Sequence, residues 1–315
     1  MESQVIHIGY HKSASTFLQK QVFPFLPINY LFFAGENREY LDLIESENNP
    51  NPELIHSWVA REISRKYPTG KHDVTVLSHE ELSGHPHGYK SISPFTTAKN
   101  LKRTFPDAKI LIIIRNQLDY LTSIYTFRVA IKGYEIRNFS SFLGEEEEKG
   151  LIDHLEYHHL IEHYRDLFGK DKVAVLPMEL LSTSAEEFYN KLLLFIGIPH
   201  QVIPNVLPIN VSTKSRVILG FWRPLNYLFS LLLALLKFLL GPNPSNFPRV
   251  RGSYYDLKRS VTGALNRWLP GSQELNIKEV KEYPRFIRRF EESNRRLQAT
   301  LDTDLAKLGY PVRPA

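Results

Sequence analysis

One short segment limits what this chain can fold into. Residues 108–115 read Ala-Lys-Ile-Leu-Ile-Ile-Ile-Arg, and 109–114 within them form a run in which every side chain but Lys109 is large and apolar, mostly β-branched. A strand that is apolar at nearly every position is typical of a strand covered on both faces inside a parallel sheet. The segment therefore predicts a central strand of such a sheet.

Strand-like and helix-like segments alternate around this strand. Further apolar strands are predicted at 5–8, 74–77 and 173–176, and helical spacing recurs at 54–67 and 186–196. This alternation predicts an α/β fold, with a central parallel β-sheet flanked by helices on both faces. The chain has 315 residues, 43% of them hydrophobic, which is enough for a large core. We predict a single domain over 1–315.

The first strand leads into a turn that carries a lysine and several hydroxyl groups. Residues 9–17 read Gly-Tyr-His-Lys-Ser-Ala-Ser-Thr-Phe and open a helix. Backbone N–H groups and the positive end of the helix dipole converge at such a turn and stabilise an anion. Lys12 adds a full charge, and Ser13, Ser15 and Thr16 add hydrogen-bond donors. The turn predicts a site for a phosphate or sulfate ester.

A P-loop nucleoside triphosphatase would need Gly-Lys-Ser/Thr at the end of this turn. Here His11 precedes Lys12, and the hydroxyl cluster follows the lysine. A nucleotide-dependent kinase also needs acidic magnesium ligands, whereas Ile114 leads into Arg115. A P-loop kinase is therefore an alternative and not the main prediction.

A second chemical cluster follows the strand at 74–77. His79, Glu80 and Glu81 stand near its predicted carboxyl end, where open α/β sheets place their active sites. Group transfer to a hydroxyl or amine needs a base, and a histidine or a carboxylate of raised pKa can serve. The non-catalytic interpretation is a helix start whose acids complement the dipole.

Arg115 directly follows the central strand, and Ser123 comes eight residues later on a predicted helix. A guanidinium can hold a phosphate through paired hydrogen bonds, and a serine hydroxyl adds one more. The spacing by itself is common. Its position after the central strand makes it informative.

The order lysine then Ser-Ala-Ser-Thr at 12–16 resembles the 5′-phosphosulfate loop of sulfotransferases that use 3′-phosphoadenylyl sulfate (PAPS), usually written Lys-Ser/Thr-Gly-Thr/Ser-Thr. Ala14 stands where that family commonly has glycine, a mild departure if the turn needs no positive φ there. The resemblance covers most of 1–200 and, thinly, 283–311. It implies a P-loop-like sulfotransferase fold, PAPS as sulfuryl donor, no metal requirement, and a glycan, lipid or other small acceptor.

The resemblance also implies roles for individual residues. The loop would hold the 5′-phosphosulfate through Lys12, Ser13, Ala14, Ser15, Thr16 and Phe17, and Lys12 would also be catalytic. Arg115 and Ser123 would hold the 3′-phosphate. Arg251, before Gly252 in a predicted basic loop, loosely resembles a late family loop that closes over the same phosphate. The pattern at 77–82 looks most like bacterial carbohydrate or lipid sulfotransferases with Ser-X-Glu, which favours Glu80 over His79 as base.

Residues 159–163 read His-Leu-Ile-Glu-His and match a zinc-binding pattern. A chain with 12 histidines produces such spacings readily, and no partner glutamate motif follows. We predict a polar helix face here and no metal site.

An apolar insertion is predicted at 216–247. Its centre, 225–240, lies between Pro224 and Gly241 and is almost wholly apolar. A helix over 225–240 has 16 residues and reaches about 24 Å. A bilayer span needs ~20 residues, so this helix is predicted to be too short to cross a membrane. Contact with a membrane surface, a homodimer contact, a lid over the acceptor site and a plain core helix all remain open.

Composition excludes several classes of protein. The chain has no cysteine, which rules out disulfides, thiolate metal sites and cysteine nucleophiles. The net charge of +5 is spread along the chain, so no nucleic-acid partner is predicted. No charged n-region with an apolar run opens the sequence, which predicts a cytoplasmic protein, peripheral on the inner membrane face. A non-catalytic, membrane-associated nucleotide-binding protein is the alternative from another class. It would tolerate loss of Glu80 and His79 but still need Lys12.

Overall fold

The computed structural model describes residues 3–33, 38–46, 50–70, 72–84, 93–132, 136–199, 215–240, 247–268 and 274–313. A five-stranded sheet is formed by β1 Ser3–Gly9, β2 Asn29–Phe32, β3 Val74–Ser78, β4 Lys109–Ile114 and β5 Val173–Pro177. All strands are parallel, in the order β2-β3-β1-β4-β5. The predicted α/β fold with a central parallel sheet is therefore confirmed. The apolar run 109–114 forms β4, between β1 and β5.

Helices flank the sheet. The α-helices are α1 Ser15–Phe17, α2 Arg38–Ile44, α3 Pro52–Lys66, α4 Pro94–Thr104, α5 Gln117–Thr126, α6 Phe139–Glu148, α7 Leu151–His154, α8 Tyr157–Phe168, α9 Leu180–Thr183, α10 Ala185–Ile196, α11 Arg216–Leu240, α12 Phe247–Trp268 and α13 Tyr283–Gln298. Short 3-10 or π turns lie at Leu18–Val22, Phe23–Phe25, Glu80–Ser83, Phe127–Lys132, Lys170–Lys172 and Ile277–Glu279.

The sheet is buried because its strands are apolar on both faces. Every residue of β4 from Ile110 to Ile114 is inaccessible to solvent. One face of the sheet packs against apolar side chains of the segments that follow β1 and β5, among them Phe17, Phe23 and Phe188. Burying a side chain of this size stabilises the fold by about 1.5–3 kcal/mol.

The chain divides into two compact units. The first contains the sheet and comprises 1–117, 149–209 and 286–315, and the second comprises 118–148 and 210–285. The single domain over 1–315 stays a prediction.

The second unit is helical and has an interior of its own. The π turn at 127–132 packs against both α11 and α12. Asn226 of α11 donates to the carbonyl of Val129 at 3.1 Å, and the indole of Trp222 donates to Thr262 of α12 at 2.9 Å. These polar contacts fix α11 along one side.

The apolar insertion differs from its prediction in two ways. Helix α11 has 25 residues, and Pro224 lies inside it instead of bounding it. Proline removes one helical hydrogen bond, the one to the carbonyl of Gly220, and the helix continues through it. The argument that the segment is too short to span a bilayer is therefore wrong. By length and composition alone, residues 216–235 could cross a membrane.

The basic loop predicted around Arg251 is also wrong. Residues 248–253 form the first turns of α12 instead. The side chain of Arg251 lies outside the described part of the structure.

Candidate active site

The candidate site lies at the carboxyl end of β1, the middle strand of the sheet. The N–H of Tyr10, directly after β1, donates to Ile113 of β4 at 3.1 Å. On the other side, the Ser83 hydroxyl donates to the carbonyl of Gly9 at 3.3 Å. The chain crosses from β3 to β4 over β1, and open α/β sheets bind ligands where strand order reverses in this way. The ends of β1, β3 and β4 thus supply one site.

The turn after β1 has an unusual backbone. Both Lys12 and Ala14 adopt positive φ, at 63° and 61°. A side chain in this region costs roughly 1–2 kcal/mol, a cost that glycine avoids. The turn therefore does need positive φ at Ala14, and replacing the family's glycine is a strained departure instead of a mild one.

The hydroxyl groups of the turn are not equivalent. Ser13 is buried, and its hydroxyl donates to the carbonyl of Tyr10 inside the turn. Ser15 begins α1 with its hydroxyl buried and without a hydrogen-bond partner in the described part of the chain. Thr16 is exposed, whereas Phe17 packs into the core. Ser15 and Thr16 thus keep their side chains available to a ligand, and Phe17 could contribute only its backbone.

Arg115 lies against this turn. Its Nη1 donates to the carbonyl of Lys12 at 2.9 Å, and its own carbonyl accepts from the hydroxyl of Tyr157 at 2.7 Å. The structure thus brings together two elements that the sequence predicted as phosphate-binding. Ser123 is buried on α5 but belongs to the second unit, so its pairing with Arg115 stays a prediction.

The segment after Arg115 is held by a carboxylate at the end of β5. Glu179 accepts from the N–H of Asn116 at 2.8 Å and from the hydroxyl of Tyr310 at 2.7 Å. Burial raises the pKa of Glu179 above its ordinary value, despite these two hydrogen bonds. This carboxylate fixes the backbone that positions Arg115.

The three candidate bases after β3 have different partners. Nδ1 of His79 accepts from the N–H of Glu81 at 3.1 Å, and the ring stacks on Phe32. Glu81 forms an ion pair with Arg38 at 2.5 Å. Glu80 accepts from the side-chain amide of Gln19 at 3.1 Å. Because an accepting Nδ1 has no free lone pair and Glu81 is neutralised, this arrangement favours Glu80.

Several effects act on the pKa of Glu80. Burial raises it, but the nearby charge of His79 and the hydrogen bond from Gln19 lower it, and His11 adds to the lowering. The balance lies below the ordinary value, so Glu80 is ionised at neutral pH. A carboxylate of raised pKa was expected for the base, and Glu80 does not meet that expectation.

Sequence reasoning missed the groups that surround Glu80. His7 and Ser78 are fully buried, Gln19 is nearly so, and the three are hydrogen-bonded to each other or to Glu80. One signal was available, because His7 is a polar residue in the apolar strand at 5–8. Gln19 carried no signal, since a polar residue in a helical segment is ordinary.

The zinc-like pattern lies on α8 and its histidines are engaged elsewhere. The ring of His159 packs on that of His158, and the ring of His163 packs on Phe95. Within the described residues, no three side chains of metal-ligating type cluster together.

Comparison with known proteins adds independent evidence on the family of this chain. The sequence profile of the sulfotransferase family matches residues 11–202. No curated protein sequence matches the chain.

Solved structures that align with this chain include the following three sulfotransferases. One, from Alicyclobacillus acidocaldarius, is 17% identical, with 78% of this chain and 98% of that chain covered and a TM-score of 0.47. A mouse sulfotransferase solved with PAP is 13% identical, with 64% and 61% covered and a TM-score of 0.40. A sulfotransferase domain from the curacin biosynthetic pathway is 13% identical, with 64% and 76% covered and a TM-score of 0.36.

The family profile spans more than half of the chain, and the matched region contains the turn at 12–16, the cluster at 79–81 and Arg115. This chain belongs to the sulfotransferase family and has its P-loop-like fold.

Proposed function

We propose that the protein transfers the sulfuryl group of PAPS to a hydroxyl or amine of an acceptor. The contact between Arg115 and the carbonyl of Lys12 carries this proposal. This contact places the Arg115 guanidinium against the cationic turn. A sulfuryl donor with phosphates at two positions requires a cationic group for each phosphate, close to one another. Family membership supports the reaction class, and the resemblance of the turn supports the choice of donor.

The chemistry follows from the charges of the site. The acceptor oxygen or nitrogen attacks sulfur, and the bond from sulfur to the bridging oxygen of the donor breaks. The negative charge that develops on the leaving phosphate is stabilised by the Lys12 ammonium and the N–H groups of the turn. The Glu80 carboxylate takes the acceptor proton.

Calorimetric titration with PAP, the desulfated product, tests donor binding. We expect Lys12→Ala and Arg115→Ala each to weaken PAP binding by at least tenfold, since each removes charge-assisted hydrogen bonds. Lys20→Ala, an exposed lysine eight residues after Lys12, is the matched control and should leave binding unchanged. Response to magnesium-ATP with indifference to PAP would favour the kinase alternative.

We also propose that the second unit contacts an anionic membrane surface. Its helix α11 exposes large apolar side chains, among them Leu228, Leu235 and Phe238, which is 85% exposed. Besides the buried Lys258, α11 and α12 carry seven basic residues and one acidic residue: Arg216, Arg223, Lys237, Arg249, Arg251, Arg259 and Arg267, against Asp256. Apolar surface with surplus positive charge binds anionic lipids.

Because the proposed partner is a membrane, the proposed acceptor is a glycolipid or a membrane-linked glycan. The proposed location is the cytoplasm, with the protein bound peripherally to the inner face of the membrane. Flotation with phosphatidylglycerol vesicles and with phosphatidylcholine vesicles tests the contact. We expect binding to the former that falls with salt. A dimer by light scattering, with no vesicle binding, would support the homodimer contact instead.

A further inference from the structure

A buried hydrogen-bond path joins His7 to Glu80. His7 of β1 and Ser78 of β3 are register partners in adjacent parallel strands, and Nδ1 of His7 lies 2.8 Å from the Ser78 hydroxyl. The amide nitrogen of Gln19 donates both to the Ser78 hydroxyl and to Oε2 of Glu80, each at 3.1 Å. Three hydrogen bonds therefore connect the imidazole to the carboxylate.

The donors along this path are compatible with a neutral His7 whose Nδ1 accepts a hydrogen bond. The hydroxyl of Ser78 accepts from Gln19, so its own hydrogen is free to be donated to Nδ1 of His7. An Nδ1 that accepts belongs to the neutral imidazole with its hydrogen on Nε2. Burial lowers the pKa of His7 to about 4, an effect that Glu80 opposes and His79 reinforces, and this agrees with a neutral ring at physiological pH.

We propose that His7 is a positioning residue for the Glu80 carboxylate. By accepting the Ser78 hydrogen, His7 fixes the orientation of Ser78. That in turn fixes the Gln19 amide with its N–H groups toward Glu80. Without this anchor the amide can turn its oxygen to the carboxylate, which would repel it. The path thereby keeps Glu80 ionised and aimed in one direction.

The other side of the imidazole faces the donor-binding turn. Nε2 of His7 has no hydrogen-bond partner in the described part of the chain, and neither does the Ser15 hydroxyl. A Cβ placed on Gly9 would overlap that hydroxyl and come within 3.1 Å of Nε2. Glycine at position 9 therefore keeps this space open, and one ring borders both the carboxylate network and the turn.

Other ionisable groups face this network and must be separated from it. His79 and His11 act on Glu80 through their charges. Tyr30 of β2 lies near Glu80 and hydrogen-bonds Ser78. Tyr30 shares Ser78 with the path, so variants of His7 separate the path from the charges of His79 and His11 but not from Tyr30.

Three substitutions distinguish the two ring nitrogens. His7→Leu removes both, His7→Asn places an amide where Nδ1 lies, and His7→Gln places one nearer Nε2. NMR titration of the full chain gives the pKa of Glu80 from the chemical shift of its carboxyl carbon. The signal is assigned by its loss in Glu80→Gln. We expect this pKa to rise in Gln19→Leu and, by less, in His7→Leu and His7→Gln, and to return toward wild type in His7→Asn.

The ring nitrogens of His7 give a readout that needs no variant of the path. We expect nitrogen-15 shifts of a neutral ring protonated at Nε2, unchanged from pH 8 to about 5, as a folded-state pKa near 4 requires. A ring that titrates near its ordinary pKa, or equal pKa values for Glu80 in the Leu, Gln and Asn variants, would overturn the proposal.

Steady-state kinetics with PAPS then link the path to the proposed function. Of the experiments on this path, only the kinetic one rests on that function. We expect kcat of His7→Leu to fall about tenfold, the loss of roughly one hydrogen bond, with KM for PAPS changed less than about twofold. His7→Asn should recover most of kcat. If the NMR pattern holds but wild type moves no sulfuryl group from PAPS, the proposed function fails and the positioning role stands.

Discussion

Both units of this protein bury polar side chains, but the second unit exposes more of its large apolar side chains. In the first unit, polar side chains such as His7 and Ser78 lie wholly buried in a largely apolar sheet. In the second unit, Asn226 and Lys258 are wholly buried, while Leu228 and Phe238 of the same helix pair face outward.

The difference shows two ways in which a sequence departs from ordinary burial. Buried polar groups are costly unless hydrogen-bonded, and in the first unit they form the path to Glu80. The exposed apolar side chains of the second unit make no comparable stabilising contacts within the protein. A contiguous exposed apolar surface marks a contact site for another protein or a membrane. We propose that the first departure serves chemistry and the second serves association.

The largest expected effect separates Glu80 from its neighbour. Glu80→Gln should lower kcat for sulfuryl transfer by about 10²–10⁴-fold, as expected for loss of a general base. PAP affinity by calorimetry should stay within about twofold, since the donor contacts do not involve this carboxylate. Glu81→Gln is the matched control because its carboxylate is paired with Arg38. Equal losses in both variants would remove Glu80 as the base.

The second unit holds a buried ion pair whose loss should be nearly as large. Arg128 and Glu146 pair at 2.8 Å with side chains 4% and 1% exposed. Glu146→Gln should destabilise this unit by about 3–5 kcal/mol, because it leaves a buried charge unpaired. Urea unfolding followed by tryptophan fluorescence in a Trp58→Phe background measures it, since the two remaining tryptophans, Trp222 and Trp268, lie in this unit. Glu292→Gln, an exposed pair in the first unit, should cost less than about 1 kcal/mol.

The two units should respond to pH in different windows. In the fold His7 has a pKa of about 4, below its ordinary 6.5, so the unfolded chain binds the extra proton first. Stability of the first unit should therefore fall as pH drops from 6.5 to 4, by ~3 kcal/mol. Trp58 fluorescence in a Trp222→Phe and Trp268→Phe background reports it, and His7→Gln should flatten the slope. A first unit equally stable at both pH values would contradict a neutral buried His7.

Lys258 supplies the contrasting window. Burial lowers its pKa to about 7 from 10.5, so the folded second unit binds fewer protons than the unfolded chain between these values. Stability should be lowest below pH 7 and rise as pH increases toward 10.5. Trp222 fluorescence follows this, and Lys258→Met should abolish the rise.

Surface substitutions test the outward apolar face. Leu228→Ser combined with Leu235→Ser should weaken binding to phosphatidylglycerol vesicles by at least about tenfold, because two large apolar side chains no longer enter the lipid. Leu194→Ser is the control, since Leu194 is 81% exposed but lies in the first unit. Equal loss in the control would mean that α11 is not the contact.

The smallest effect concerns the strained turn. Ala14→Gly should stabilise the first unit by about 0.5–1 kcal/mol, since relief of positive φ outweighs the added freedom of the unfolded chain. Ala98→Gly, in the middle of α4, should instead destabilise by about 1 kcal/mol. Thermal unfolding of both variants measures the contrast, and destabilisation by Ala14→Gly would show that the turn is not strained.

Much of the first unit was predictable because its signals are local. A few consecutive residues are enough to recognise each of three features: the apolar run 109–114, the turn at 12–16 and the position of Arg115. The path from His7 to Glu80 was not, because His7 and Ser78 are 71 residues apart and become neighbours only through strand pairing. The length of α11 was missed for a related reason. Pro224 predicts a helix boundary from local geometry, and packing on one side of α11 overrides it.

The sequence by itself determined the parallel sheet, the cationic turn, the strand-end cluster at 79–81 and the family, since periodicity, charge and short motifs are properties of neighbouring residues. Tertiary structure alone decided that Glu81 is paired with Arg38 while Glu80 is not, that Ala14 needs positive φ, and that Asn226 points inward while Leu228 and Leu235 of α11 point outward. The physical reason is that partners, backbone strain and burial are set by segments distant in the chain.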